Sequence, residues 1–327
     1  MINDKKDNMN VPLKKPIISG LKIVIMNQLF FLIAIMIIIG VVVSIVNPKF
    51  LSVQNLFNIV LQVSVTGIIC VGLSMILITG EFDLSIGPQI SILGLVMAIL
   101  ITRYSILLTI IVVILLGMAI GALNGLFVTR IKAHSFIITL ALSTVYAGIA
   151  LLISGGKYIP LKGRFKFFSG KFLDVIPYPV IILLIVLIIA FIIFKYLKFG
   201  RLLFAIGGNA QAAYLSGVKV RLYKILAYSV AGGLYGVATI VLISQISVAY
   251  PTTGEPYTLT ALAAIVVGGV ALTGGKGSAL GIFLGALVFG LITNSMILMN
   301  INPYWREVVL GIVILLAVTI SGLTSKD

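Results

Sequence analysis

The sequence predicts an all-α, polytopic membrane protein of about ten transmembrane helices, and three observations carry that expectation. Of 327 residues, 61% are hydrophobic and 9% charged. An ordinary soluble domain carries roughly 25% charged residues, so this chain cannot cover a water-facing surface. The apolar residues also fall in runs long enough to cross a hydrocarbon core, which takes about 20 residues as helix. The charge is lopsided, with 23 Lys and Arg against 8 Asp and Glu for a net +15, and the basic residues sit between the apolar runs. That placement follows the rule that basic residues stay on the cytoplasmic side, and it removes the need for a nucleic-acid partner.

Taken in order, the spans are expected at 28–46, 56–79, 86–102, 105–128, 135–153, 179–196, 224–248, 259–273, 278–299 and 304–321. Residues 1–27 are polar and lysine-bearing, and no small-residue cleavage pattern follows the first apolar run. They read as a cytoplasmic tail, 28–321 as a single transmembrane domain, and 322–327 as a second cytoplasmic tail. With the amino terminus inside, ten spans return the carboxyl terminus to the cytoplasm. The inside segments then hold 15 of the 23 basic residues. An outer loop, 154–178, runs against the rule with Lys157, Lys162, Arg164, Lys166 and Lys171.

The third and eighth spans are short, and each abuts a break. The first break, Ile78 to Pro88, places Glu81 and Asp83 between apolar runs. Charges at membrane depth are costly and face a cavity or a partner. Asp83 or Ser85 is expected to cap the following helix. The second break, Leu272 to Gly281, repeats Thr79, Gly80 and Gly87 as Thr273, Gly274 and Gly281 at a constant offset of 194. Paired interruptions in the two halves point to the pathway of a transporter. The provisional pathway residues are Glu81, Asp83, Ser85, Asn124 and Asn294. The second break is not a phosphate loop, since Val270 and Gly277 stand where G-x-x-x-x-G-K-[ST] requires Gly and Ser or Thr.

Small residues recur at four-residue spacing as Gly117, Gly121 and Gly125, as Gly232 and Gly236, and as Gly281 and Gly285, which is the spacing of closely approaching membrane helices. Cys70 and His134 are each the sole residue of their type, so neither a disulfide framework nor a two-histidine metal site is available.

The loop 199–223 is the remaining strong feature. Gly207 and Gly208 read as a flexible turn, with Asn209 capping a short helix of Ala210, Ala212, Ala213, Tyr214 and Leu215 that Gly217 ends. A small-faced helix in a long internal loop suits docking into a partner's groove.

Three stretches resemble one family. TGEFDLSIG resembles the T-G-G-I-D-L-S-V-G signature of ribose-type permeases of bacterial ABC importers. GRLLFAIGGNAQAAYLSGV is similar to the same family's G-R-x-x-x-A-x-G-G-N-x-x-A-A-x-x-S-G-[IV] segment, and ALAAIVVGGVALTGGKGSALGIFLGALVFG resembles a third family segment. The chain departs at Glu81, where the family has Gly, and at Pro88. The resemblance implies a permease of the inner membrane that pairs with a second copy or a paralogue. It implies no cofactor on this chain, since ATP and Mg belong to a cytoplasmic ABC ATPase subunit. It further implies delivery of a monosaccharide by an extracytoplasmic solute-binding protein.

The ATPase-coupling residues it points to are Gly200, Arg201, Gly207, Gly208, Asn209, Ala212, Ala213, Ser216 and Gly217. The basic outer loop is expected to dock the binding protein. The alternatives are an ion-coupled secondary transporter using Glu81 and Asp83, or an ABC permease for a nucleoside or an amino acid.

Overall fold

The computed structural model describes residues 28–161, 163, 165, 170–173, 176–302, 304, 305, 307–309, 311–313 and 315. The two tails therefore lie outside the described residues, as do Lys162, Arg164, Lys166 and much of the tenth expected span. Helices run in the order α1 (Gln28–Val46), α2 (Val53–Ile78), α3 (Ile86–Leu100), α4 (Ile106–Arg130), α5 (Ser135–Ser154) and α6 (Tyr178–Lys195). They continue with α7 (Lys198–Gly208), α8 (Ala210–Leu215), α9 (Val220–Ile246), α10 (Glu255–Val267) and α11 (Ala279–Leu298). Seven of these are long and apolar enough to cross a membrane, and α3 and α10 are the shorter apolar pair. Both short helices adjoin the breaks read from the sequence.

Serine starts several of the helices in the way its hydroxyl favours. Ser52 accepts from the Asn55 amide, Ser105 from Leu108 and Ser278 from Gly281. The central element is α2, the most buried of the long helices, against which α6, α9, α10 and α11 pack. In contrast α1 exposes Phe30, Ile37, Ile38 and Ile45. A water-soluble protein rarely displays such a face, whereas lipid covers it at no cost.

The glycine spacing is explained by the seam between α4 and α9. A Cβ on Gly117 would overlap the Gly232 carbonyl, and one on Gly121 would overlap the Tyr228 carbonyl. Lipid supplies no hydrophobic drive between helices, so close backbone approach stands in for it. Gly281 and Gly285 likewise lie against the backbone of Gly268 and Ala264.

At one end of the bundle, short strands β1 (Ile159–Pro160) and β4 (Val248–Ala249) pair antiparallel, Ile159 opposite Ala249. They tie the link after α5 to the link after α9. A second small pair joins β2 (Lys171–Phe172) to β3 (Ile176–Pro177). The loop 154–178 is thus partly folded onto the bundle, with Leu161 and Phe165 buried. Lys157 and Lys171 are exposed, and the Lys171 ammonium lies 5.8 Å from the centre of the Phe57 ring.

Two expectations need correction. Gly207 and Gly208 are not a flexible turn, because they are the last residues of α7. Ala213 is not on the surface of the short helix α8, because it is buried, while Tyr214 and Leu215 are 65% and 75% exposed.

Candidate functional site

The two breaks meet. The Gly275 amide donates to the Ile78 carbonyl at 2.9 Å. Gly80 and Gly274 both have left-handed backbones (φ +79° and +85°), and a Cβ on Gly274 would fall 2.7 Å from the Gly80 nitrogen. Only glycine serves this backbone-on-backbone crossing. The end of α7 presses on the same point. A Cβ on Gly207 would overlap the Ile78 carbonyl oxygen and lie 2.5 Å from the Gly275 nitrogen, whereas one on Gly208 meets nothing within 4 Å. A helix outside the long spans therefore touches both breaks at once.

Beyond α7, Asn209 accepts from the Ala212 amide at 2.9 Å and Gly217 closes the turn at φ +83°. The Ser216 hydroxyl donates to the Ala212 carbonyl. Arg201 is bound locally, donating to the Tyr196 carbonyl at 2.7 Å. Gly200 fits against the Ile193 carbonyl, where a Cβ would overlap.

Glu81 stands apart from the other pathway candidates. It forms an ion pair with Lys224 at the start of α9, both side chains being partly buried. Nearby, Tyr228 donates to the Phe82 carbonyl at 2.6 Å. The free amides of the first break are also taken up, Phe82 by Ser135 and Leu84 by Thr139. An unpaired backbone amide inside a bilayer is costly, and these hydroxyls remove that cost.

Asp83, Ser85 and Asn124 do come together. The Ser85 hydroxyl donates to Asp83 Oδ1 at 2.5 Å and accepts from Gln89 Nε2 at 2.7 Å and from Asn124 Nδ2 at 2.8 Å. Tyr146 donates to Asn124 Oδ1 at 2.6 Å. The network pins the start of α3 to α4 and α5. The capping expectation is corrected here: Ser85 is the cap position of α3 but makes no side-chain capping bond, and Asp83 instead accepts from the Ser85 amide at 2.9 Å. Asp83 Oδ2 and Gln89 Oε1 are buried and find no partner among the described residues.

The starts of the two short helices face each other. Gly87 of α3 donates its amide to Thr258 at 3.0 Å, and Gly254, just before α10, donates to Ser91 at 3.0 Å.

Asn294 lies elsewhere, at the opposite end of the bundle from the breaks. It exchanges two hydrogen bonds with Asn55, at 2.9 and 2.8 Å, and Asn55 also donates to the Phe50 carbonyl. This pair lines a cavity of about 260 Å³, whose other polar lining is Asn58, Gln62 and Gln245. Sequence reasoning missed these three, along with Gln89 and Tyr146. A signal for Asn58 and Gln62 was present, since they share one helical face with Asn55, whereas Gln245 lies on another helix.

Among the described residues no group of three or more His, Cys, Asp and Glu gathers as a metal site would need. Long apolar helices, two touching breaks and buried polar networks define a multi-pass membrane protein.

Its residues 55–318 match the family of the branched-chain amino acid transport system / permease component, and the chain belongs to that family. It is 37% identical to the ribose import permease protein RbsC of Haemophilus influenzae, over 86% of this chain and 90% of that one. It is 37% identical to RbsC of Bacillus subtilis, over 85% and 88%. The L-arabinose ABC transporter permease protein AraH of Azospirillum brasilense is 34% identical, over 84% and 82%. No solved structure matches.

Proposed function

We propose that the chain is the membrane-spanning permease subunit of an ATP-binding-cassette importer that moves a monosaccharide across the bacterial inner membrane. The observation that carries the reading is its likeness, over more than four fifths of its length, to import permeases for ribose and arabinose. ATP, with its Mg, is hydrolysed on a separate cytoplasmic subunit, and both termini of this chain are cytoplasmic. A solute-binding protein delivers the sugar on the other side, and a second permease, identical or a paralogue, completes the pathway.

The segment 199–217 is the ATPase dock. In its support, α8 presents Ala210, Ala212, Tyr214 and Leu215 outward, while α7 ends against both breaks. Movement of the dock then reaches the spans by direct contact, a coupling of rigid elements rather than catalysis. The basic loop residues Lys157, Lys162, Arg164, Lys166 and Lys171 are proposed, on charge alone, as the face that meets the binding protein.

An ion-coupled mechanism is less well supported. Glu81 is already paired with Lys224, and one Asp83 oxygen is held by Ser85. Uptake of labelled ribose, arabinose and leucine in membrane vesicles separates the readings. We expect sugar uptake that needs ATP and survives an uncoupler. Uptake abolished by the uncoupler at full ATP, or uptake of leucine alone, refutes the proposal.

A further inference from the structure

The cavity flanked by α2, α9 and α11 has a chemistry that the breaks do not share. Its polar lining consists of five carboxamides, and no charged side chain lines it. The five are not equivalent. Asn55 and Asn294 satisfy each other. Gln62 Oε1 and Gln245 Nε2 are buried, yet neither finds a hydrogen-bond partner among the described residues. A buried amide left unpaired costs free energy, and two residues that line one cavity each carry such a group, an acceptor on Gln62 and a donor on Gln245. Asn58 stands exposed at its rim.

We propose that this cavity is an entry site for a neutral, polyhydroxylated solute, toward which Gln62 turns its carbonyl to accept from one hydroxyl and Gln245 its amide to donate to another. A hydroxyl both gives and receives, so it answers either amide group. At about 260 Å³ the cavity falls just below the roughly 300–1,000 Å³ of drug-sized ligand pockets. It holds on the order of nine water-sized groups, about the size of a single sugar ring. The three aliphatic side chains in the lining, Leu61, Ile297 and Leu298, offer a surface for the C–H face of such a ring. An amino acid is refused, because its ammonium and carboxylate would be desolvated with no counter-charge beside them. This inference rests on the sugar-importer reading and places the selection between sugar and amino acid in this cavity.

The test uses the complete importer in proteoliposomes with its ATPase and binding protein. Gln62→Leu and Gln245→Leu are each expected to cut uptake of the transported pentose about tenfold, the worth of one hydrogen bond to a buried amide. ATPase should still co-purify in the wild-type amount, and Gln62→Asn should recover part of the loss. A second measurement works without uptake. Cys70 is buried, so a Gln62→Cys variant offers a water-soluble maleimide one accessible thiol on this chain, and its labelling is read on the permease band. Millimolar ribose, arabinose or xylose should slow its labelling several-fold, and equimolar leucine should not. Wild-type uptake together with undiminished uptake in both leucine variants overturns the site and leaves the importer reading intact. Labelling that no pentose slows, or that leucine slows equally, also overturns it. A wild-type importer that carries no sugar overturns both readings.

Discussion

Ser85→Ala removes one oxygen from the buried network and leaves the shape of the site otherwise intact. A hydroxyl offers one proton and two lone pairs, and all three are in use, toward Asp83, Gln89 and Asn124. Alanine replaces none of them. Asp83 keeps the bond from the Ser85 amide and Asn124 keeps Tyr146, whereas Gln89 loses the one side-chain partner shown for its Nε2 group.

Side-chain hydrogen bonds inside membrane proteins average about 0.6 kcal/mol and reach about 1.7, so three together come to roughly 2–5 kcal/mol. For a chain of 327 residues, an unfolding entropy of about 2.1 cal/mol/K per residue makes 1 kcal/mol worth about 1.5 °C, giving an expected fall of roughly 3–7 °C. The assay is thermal unfolding of the detergent-purified permease, followed by aggregation or by labelling of the newly exposed Cys70. Asp83→Asn is the control, because its Oδ1 still accepts from both Ser85 groups, and its midpoint should fall less. An unchanged midpoint for Ser85→Ala refutes the claim that this network holds α3 in place.

The two glycines ending α7 should behave oppositely. Gly207→Ala drives a methyl into the Ile78 carbonyl and should abolish assembly of the folded permease, while Gly208→Ala should be silent; size-exclusion profiles read both. Gly208→Trp and Ala212→Trp add bulk outside the spans, so membrane insertion should persist while co-purification of the ATPase is lost. Glu81→Gln and Lys224→Met should each cost stability. Because the pair is only partly buried, their coupling in a double-mutant cycle should be on the order of 1–2 kcal/mol. Additive losses would show that the pair contributes nothing.

Much of the fold was legible because apolar length is a strong signal, and spans such as Gln28–Val46 coincide with the expected run. Boundaries slipped where charge and backbone disagree. Arg221 and Lys224 shorten the apolar window of α9, yet its hydrogen bonding begins at Val220. The short helix α10 stops at Val267 because Gly268 and Gly269, the latter at φ +89°, begin the second break early.

The paired glycines Gly207 and Gly208 read as a turn because glycine punctuates chains. Their reason is instead a close approach by Ile78 and Gly275, segments remote in sequence, and only the fold shows it. The same holds for Asn294, whose partner Asn55 is 239 residues away. The repeat of Thr79 and Gly80 as Thr273 and Gly274 did mark a real junction. The free amides of Gln62 and Gln245 left only a faint trace, single polar residues inside apolar runs.

The most direct measurement of the central claim is accumulation of labelled pentose in proteoliposomes that hold this chain with its ATPase, ATP enclosed on the ATPase side and sugar-loaded binding protein on the other. The account predicts accumulation against the gradient only when chain, ATPase and ATP are all present. Accumulation by the chain alone, driven by a proton or sodium gradient, would contradict it.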